Sequence, residues 1–327
     1  MNVNQTEKAV LSGGRTISNR SKWKDKKGNL LYILKRDKYL YLLAVPGILF
    51  FLIFKYIPLW GISIAFQDYS PYQGIWGSPW VGFENFKRFF SNPDFFHLFR
   101  NTIAISLMNL FFYFPLPILL SILLTELKNE FFKKTIQTII YMPHFLSWVI
   151  IAGITFLLLS QSEGVVNKML VAAGLDKIDF LTNPKLFWPI LTLQTIWKDA
   201  GWGTILFLAA IAGIDPALYE AAKMDGAGRF RQIWHITLPS IRNVIVILLI
   251  LRIGHMMDVG FEQVLLMANS AVSDVADVFD TYVFRVGIQQ GEFSYSTAIG
   301  IFKSVVGLIL VVIANKFAKK LGEEGVY

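Results

Sequence analysis

The chain has 327 residues, of which 54% are hydrophobic and 17% charged, and none is cysteine. Soluble domains carry about 25% charged residues, so the deficit excludes intrinsic disorder and argues against a water-soluble globule. The missing thiols exclude a disulfide framework, a thiolate metal site and a cysteine nucleophile, and the 4 histidines form no HExxH or HxH pair.

Residues 1–38 carry ten Lys or Arg against three acids. Polar and aperiodic, they read as a largely disordered basic arm beside a membrane. They do not read as a signal peptide, because the basic part is too long and no small-residue cleavage site follows the apolar run. Six apolar stretches follow, near 39–66, 102–125, 136–159, 186–213, 241–267 and 297–315. A hydrocarbon core of ~30 Å needs ~20 helical residues, so each stretch is long enough to cross. The expected fold is an all-α polytopic membrane protein of about six spans, with the transmembrane domain at 39–315 and a tail at 316–327. Pro46, Lys55 and Pro58 interrupt the first stretch, which is expected to end its span near Pro58 and continue as an amphipathic segment to Phe66. The loop after it gathers Tyr72, Trp76, Trp80, Phe83, Phe86, Phe89 and Phe90, an arrangement that suits interfacial anchoring at the headgroup level.

Basic residues orient the spans. One side of the membrane holds the arm, 126–135, 214–240 with Arg242, and the tail, for twenty Lys or Arg; the other side holds seven. The basic-rich side is the cytoplasmic one, which puts both termini there. The net charge of +8 therefore reports topology and not nucleic-acid binding.

The loop at 214–240 between spans four and five carries the most specific pattern. Asp215-Pro216 is a helix start, a capping carboxylate followed by proline at the first helical position. Leu218, Ala221 and Ala222 share a face, and Gly226 suits the left-handed turn that ends such a helix. Phe230, Ile233, Trp234, Thr237 and Leu238 make an apolar stripe on a second short helix, which Pro239 closes. Glu220-Ala221-Ala222, three residues, Gly226, nine residues, Ile236, one residue, Leu238-Pro239 resembles the EAA signature of permease subunits of binding-protein-dependent ABC importers. Asp225-Gly226-Ala227 and the closing Ile-x-Leu-Pro are similar to its carbohydrate branch. Residues 74–83 and Asp280-Thr281-Tyr282-Val283 resemble the oligosaccharide and polysaccharide permeases of that branch, such as those of the alginate importer.

The resemblance implies that this loop is the coupling helix, docked into a groove of a separate ATPase chain. Glu220 would face a basic group there, Ala221 and Ala222 would allow close approach, Asp225 and Gly226 would form the turn, and Ile236, Leu238 and Pro239 would close the unit. It further implies a second, different permease, two ATPase subunits, an external solute-binding protein, a carbohydrate cargo and a prokaryotic inner membrane. No cofactor is expected on this chain. ATP and Mg belong to the ATPase, since no GxxxxGK[ST] loop occurs and a Walker-type site needs one. A polytopic membrane enzyme such as a glycosyltransferase, and a secondary transporter or channel, are the alternatives from other classes.

Charge at membrane depth usually faces a cavity or a bundle interior. Arg252, His255, Asp258 and Glu262 are spaced to share one face of a continuous fifth span. Gln194, Trp197, Lys198, Asp199 and Trp202 add polar and aromatic groups from the fourth. These nine residues are the candidate substrate path, with mutual ion pairing as the competing explanation. Two bases against three acids would leave one acid unmatched and near water. Gly153, Gly254, Gly300 and Gly307 are expected to permit helix packing.

Overall fold

A computed structural model describes residues 36–323 and 325–326; the arm at 1–35 and Tyr327 lie outside them. The described residues fall into two units, divided between Gly61 and Ile62. The first contains most of α1 (Lys38–Phe66), which winds without a break through Pro46 and Pro58. Pro58 does not end it. A π-turn at 52–56 followed by tighter winding from Ile57 absorbs the missing amide hydrogen, which is how a helix tolerates an internal proline. None of the residues of 38–51 is buried, as suits a helix whose surroundings are lipid.

The second unit is built from α2 (Phe95–Thr125), α3 (Glu130–Tyr141), α4 (Trp148–Leu159), α5 (Pro184–Ala212), α6 (Pro216–Met224), α7 (Arg229–Ser240), α8 (Arg242–Gly254), α9 (Phe261–Met267) and α10 (Phe293–Lys320). Among the described residues, three helices cross a membrane by length and composition, and six do if each bent pair is one span. Two expected spans are corrected here. The third is broken: α3 and α4 meet at 102° across a short turn containing Pro143. The fifth is not continuous either. α8 stops at Gly254, the chain crosses 255–260 without helix, and Gly260 at φ +86° restarts it as α9. Arg252, His255, Asp258 and Glu262 therefore do not share one helical face. α10 also runs five residues past the expected end, so Lys316, Lys319 and Lys320 are helical.

Lipid is as apolar as leucine, so helix association rests on close packing and polar links. α5 is the central post. A Cβ at Gly201 would meet the Ile140 carbonyl oxygen at 1.9 Å, so the backbones of α3 and α5 touch there. We expect Gly201→Ala to force these helices apart and cost about 1–3 kcal/mol, read as a lower melting temperature in detergent; an unchanged melt would contradict the packing. Gly307 likewise abuts Gly254. Gly153 and Gly300, expected to do the same, face open space.

Three clusters fill the unit. Ile105, Leu191, Val259, Val264 and Val278 pack in one. Ile122, Phe207, Ile211 and Ile241 pack in another, with Ile233 and Leu238 against them. The third contains Phe89, Leu98, Phe279, Tyr295 and Ile299. Phe89 is thus a core residue and not an interfacial anchor; its ring meets those of Phe279 and Phe302 at 5.9 and 5.2 Å. Tyr72, Trp76, Trp80 and Phe83 do stand exposed.

Candidate functional site

The 214–240 loop forms a compact pair of helices. Asp215 Oδ1 accepts from the Ala217 amide at 2.9 Å and starts α6. At the other end Gly226 takes φ +75°, and the Ala227 amide donates to the Ala222 carbonyl at 2.8 Å, a left-handed helix stop. The hydroxyls of Tyr219 and Thr237 lie 2.9 Å apart and tie α6 to α7. Gln232 Nε2 donates to the Ala227 carbonyl at 2.7 Å. Ile233 and Leu238 turn inward against the bundle. Glu220, Ala221 and Asp225 stay exposed, with Ala222 and Ile236 half-buried. Leu218, Met224, Phe230 and Trp234 are exposed as well. The stripe read from sequence is thus split: Ile233, Thr237 and Leu238 root the unit, and Phe230 and Trp234 remain outside.

The broken third span explains the charges of α5. Its turn leaves backbone carbonyls without helical partners, and such groups at membrane depth must be satisfied by other means. Lys198 Nζ donates to the carbonyls of His144, at 2.9 Å, and Leu146. It also lies 5.3 Å from the centre of the Trp148 ring. His144 Nδ1 donates to Asp199 Oδ1 at 2.8 Å, while its ring stacks on Trp202 at 4.4 Å. Gln194 is equally committed. Its Nε2 donates to Thr155 Oγ1 at 2.7 Å and its Oε1 accepts from Gln263 Nε2 at 3.0 Å. Trp197 borders an apolar groove with Ile154, Leu158 and Leu193.

The remaining charges surround a cavity of about 360 Å³ between α2, α5 and the break after α8. Asp199, Arg252, His255 and Asp258 line it, together with Ser106, Asn109 and Thr195. Gln194, Trp197, Lys198, Trp202 and Glu262 do not. Asp258 bonds Lys303 of α10 at 2.8 Å, and Lys303 also bonds Asp280. Glu262 is exposed and makes no ion pair among the described residues. The pairs that form are not those counted in sequence: Asp199 bonds His144, Asp258 bonds Lys303, a lone charge in the sixth stretch that sequence reasoning passed over, and Glu262 is the acid left without an ion pair among the described residues. A cation lacks an acid as well. Arg252 has no carboxylate partner among the described residues, and its guanidinium sits 5.2 Å from the centre of the Tyr113 ring.

A helical bundle with a broken span, a polar cavity among its helices and an exposed helix pair rooted at one end has the architecture of a membrane transport subunit. Residues 115–323 match the family described as binding-protein-dependent transport system inner membrane component, and the chain belongs to that family. It is 56% identical to the polygalacturonan/rhamnogalacturonan transport system permease protein YteP of Bacillus subtilis (strain 168), over 93% of this chain and 95% of the relative. It is 57% identical to Protein LplB of the same strain, over 97% and 96%. Among solved structures it matches a chain of a bacterial alginate ABC transporter, in complex with an alginate pentasaccharide-bound periplasmic protein, at a TM-score of 0.83. That match has 42% identity and covers 91% of this chain and 100% of the other. The chain is accordingly an inner-membrane permease of a sugar ABC importer, a transport component and not an enzyme. The glycosyltransferase alternative finds no support among the relatives.

Proposed function

We propose that the chain is one of two unlike pore-forming subunits of an importer whose cargo is an oligosaccharide carrying carboxylates. Arg252 carries this reading: it stands at the cavity wall and makes no ion pair among the described residues, and a cation inside a membrane protein is costly unless a counter-charge, here the cargo's, meets it. The named relatives support it, since one is a polygalacturonan/rhamnogalacturonan permease and a structural neighbour imports what is described as the acidic polysaccharide alginate. An external binding protein delivers the sugar. ATP and Mg²⁺ act on two separate ATPase subunits, where α6, with Glu220 and Ala221 outward and Ala222 half-buried beside them, docks as the coupling element. Closure of the ATPase pair draws the coupling helices together and turns the cavity outward; hydrolysis returns it.

The whole complex reconstituted in liposomes is expected to accumulate labelled galacturonate trimer only with ATP and only when the ATPase subunit is present. Uptake without that subunit would overturn the reading. The chain ends are placed on the cytoplasmic side, as the basic-residue asymmetry requires. Reporters inserted after Gly228 should read cytoplasm, and those after Asp176 and Ala276 should read the outside; a cytoplasmic reading at Asp176 would remove the six-span topology.

A further inference from the structure

We propose that the cavity behind the coupling unit, between α2, α6 and α7, holds the headgroup of an anionic phospholipid of the inner leaflet. The proposal rests on the cytoplasmic placement of the 214–240 loop given above, and it adds a partner for the inward face of that loop.

The cavity measures about 560 Å³. Its charges converge from three separate segments: Lys128 just past α2, Lys223 on α6 and Arg229 on α7, with Glu126 the one acid among the described lining residues. Glu126 bonds Arg229 at 3.5 Å. Lys128 and Lys223 make no ion pair among the described residues, so two cations share one recess without a counter-ion. Their direction separates them from the surface offered to the ATPase. Tyr219 and Lys223 are about one helical turn apart and both line the cavity, where the Tyr219 hydroxyl also meets that of Thr237. Glu220 and Ala221 do not line it and stand exposed on other sides of α6.

The floor beneath these cations is apolar, made by Ile122, Ile211 and Ile233. Ile122 shares a stripe of α2 with Leu119 and Leu123, which are 51% and 54% exposed and bear on lipid. The apolar stretch ends at Thr125, with Glu126 and Lys128 directly after it, so the basic rim stands where a span leaves the hydrocarbon. A basic rim over an apolar floor at that level complements a phosphate that carries acyl chains; basic pockets between spanning helices on the cytoplasmic side hold anionic headgroups in this way. A soluble phosphate would use the rim and leave the isoleucines wet. A headgroup seated here joins α6 and α7 to the end of α2 beside the Glu126–Arg229 bond, and so braces the coupling unit against the second span.

The test titrates the complete importer in detergent with three probes, read by native mass spectrometry: dioctanoyl phosphatidylglycerol, dioctanoyl phosphatidylcholine and glycerol 3-phosphate. The wild type is expected to prefer the first. Both lysines are exposed, so Lys128→Gln/Lys223→Gln keeps the fold, and it should weaken phosphatidylglycerol about thirtyfold, the worth of two cations at a membrane surface. Lys128→Arg/Lys223→Arg should retain the affinity. Lys134→Gln, an exposed lysine of α3 outside the cavity, should change nothing. Equal affinity for the two lipids, an unchanged double glutamine variant, or a loss as large in Lys134→Gln would overturn the site. Glycerol 3-phosphate binding as tightly as the lipid would overturn it in favour of a soluble phosphate. A zero-length amine–carboxylate cross-link from Lys223 to the ATPase subunit would overturn it by giving the cations to that chain. A reporter after Gly228 that reads the outside would bring down the cytoplasmic reading and the inner-leaflet assignment with it, whereas a flat lipid titration beside a cytoplasmic reporter brings down the lipid site alone.

Discussion

Gly226→Pro is expected to leave the permease inserted in the membrane but reduce ATP-driven uptake to background. The residue sits at φ +75°, and proline locks φ near −65°. The Gly226 amide also donates to the Lys223 carbonyl at 3.0 Å, a bond proline cannot make. Both effects act on the turn between α6 and α7, so the exposed face of α6 would be re-aimed relative to the bundle. No side chain fills the space around Gly226, which means the loss comes from the backbone angle and not from crowding. Gly226→Asn, which tolerates the left-handed region, should retain most activity and serves as the control. Glu220→Lys, a charge reversal on the outward face of α6, should also abolish uptake. Normal uptake by Gly226→Pro, with the ATPase subunit still co-purifying, would show that this loop does not couple the two.

Removing the Lys303 amine should have the largest effect on stability. Lys303 is 11% exposed in its side chain and lies between Asp280, 19% exposed, and Asp258, 62% exposed. Asp280 Oδ2 also accepts from the Val259 amide at 3.4 Å, within the break after α8. The pair thus pins α10 to the segment joining α8 and α9. Lys303→Met would strand the Asp280 carboxylate without a counter-ion, and breaking a buried pair from one side costs about 3–5 kcal/mol. Asp258, mostly exposed, contributes little to that figure. The melting temperature in detergent should fall sharply for Lys303→Met and return toward the wild-type value in Lys303→Met/Asp280→Asn, where neither charge remains. Equal melting of the single and double variants would mean that charge burial is not what the pair supplies.

Much of this molecule follows from local rules. The six apolar stretches need only length and composition, and the α6 turn needs only Asp215, Pro216 and Gly226 at the right spacing. These are read correctly because the backbone forces behind them act within one or two helical turns. The interruptions were harder. Pro143 and Gly260 were visible as residues, yet an apolar run broken at 146–147 has the same composition as one that continues. Periodicity therefore carried Arg252, His255, Asp258 and Glu262 onto a single face that does not exist. Asn109 is a lone amide in an otherwise oily stretch, and Lys303 a lone charge in another. Both were legible as anomalies, but nothing adjacent in sequence says what they meet.

What the sequence by itself determined is the class of protein, the number and approximate place of its spans and the two-helix unit at 214–240, all consequences of hydropathy and of local turn chemistry. Only the tertiary structure decided which polar groups are spent and which are free. Lys198, Asp199 and Gln194 satisfy a broken helix and each other's neighbours, Asp258 and Asp280 share Lys303, and Arg252 is left at the cavity wall without a carboxylate partner among the described residues. Pairing across 20 to 200 residues depends on where helices break and how closely glycines such as Gly201 let them approach. Charge balance counted along a chain cannot contain that information, because at membrane depth an ion answers to whichever helix is within about 3 Å and not to its neighbours in sequence.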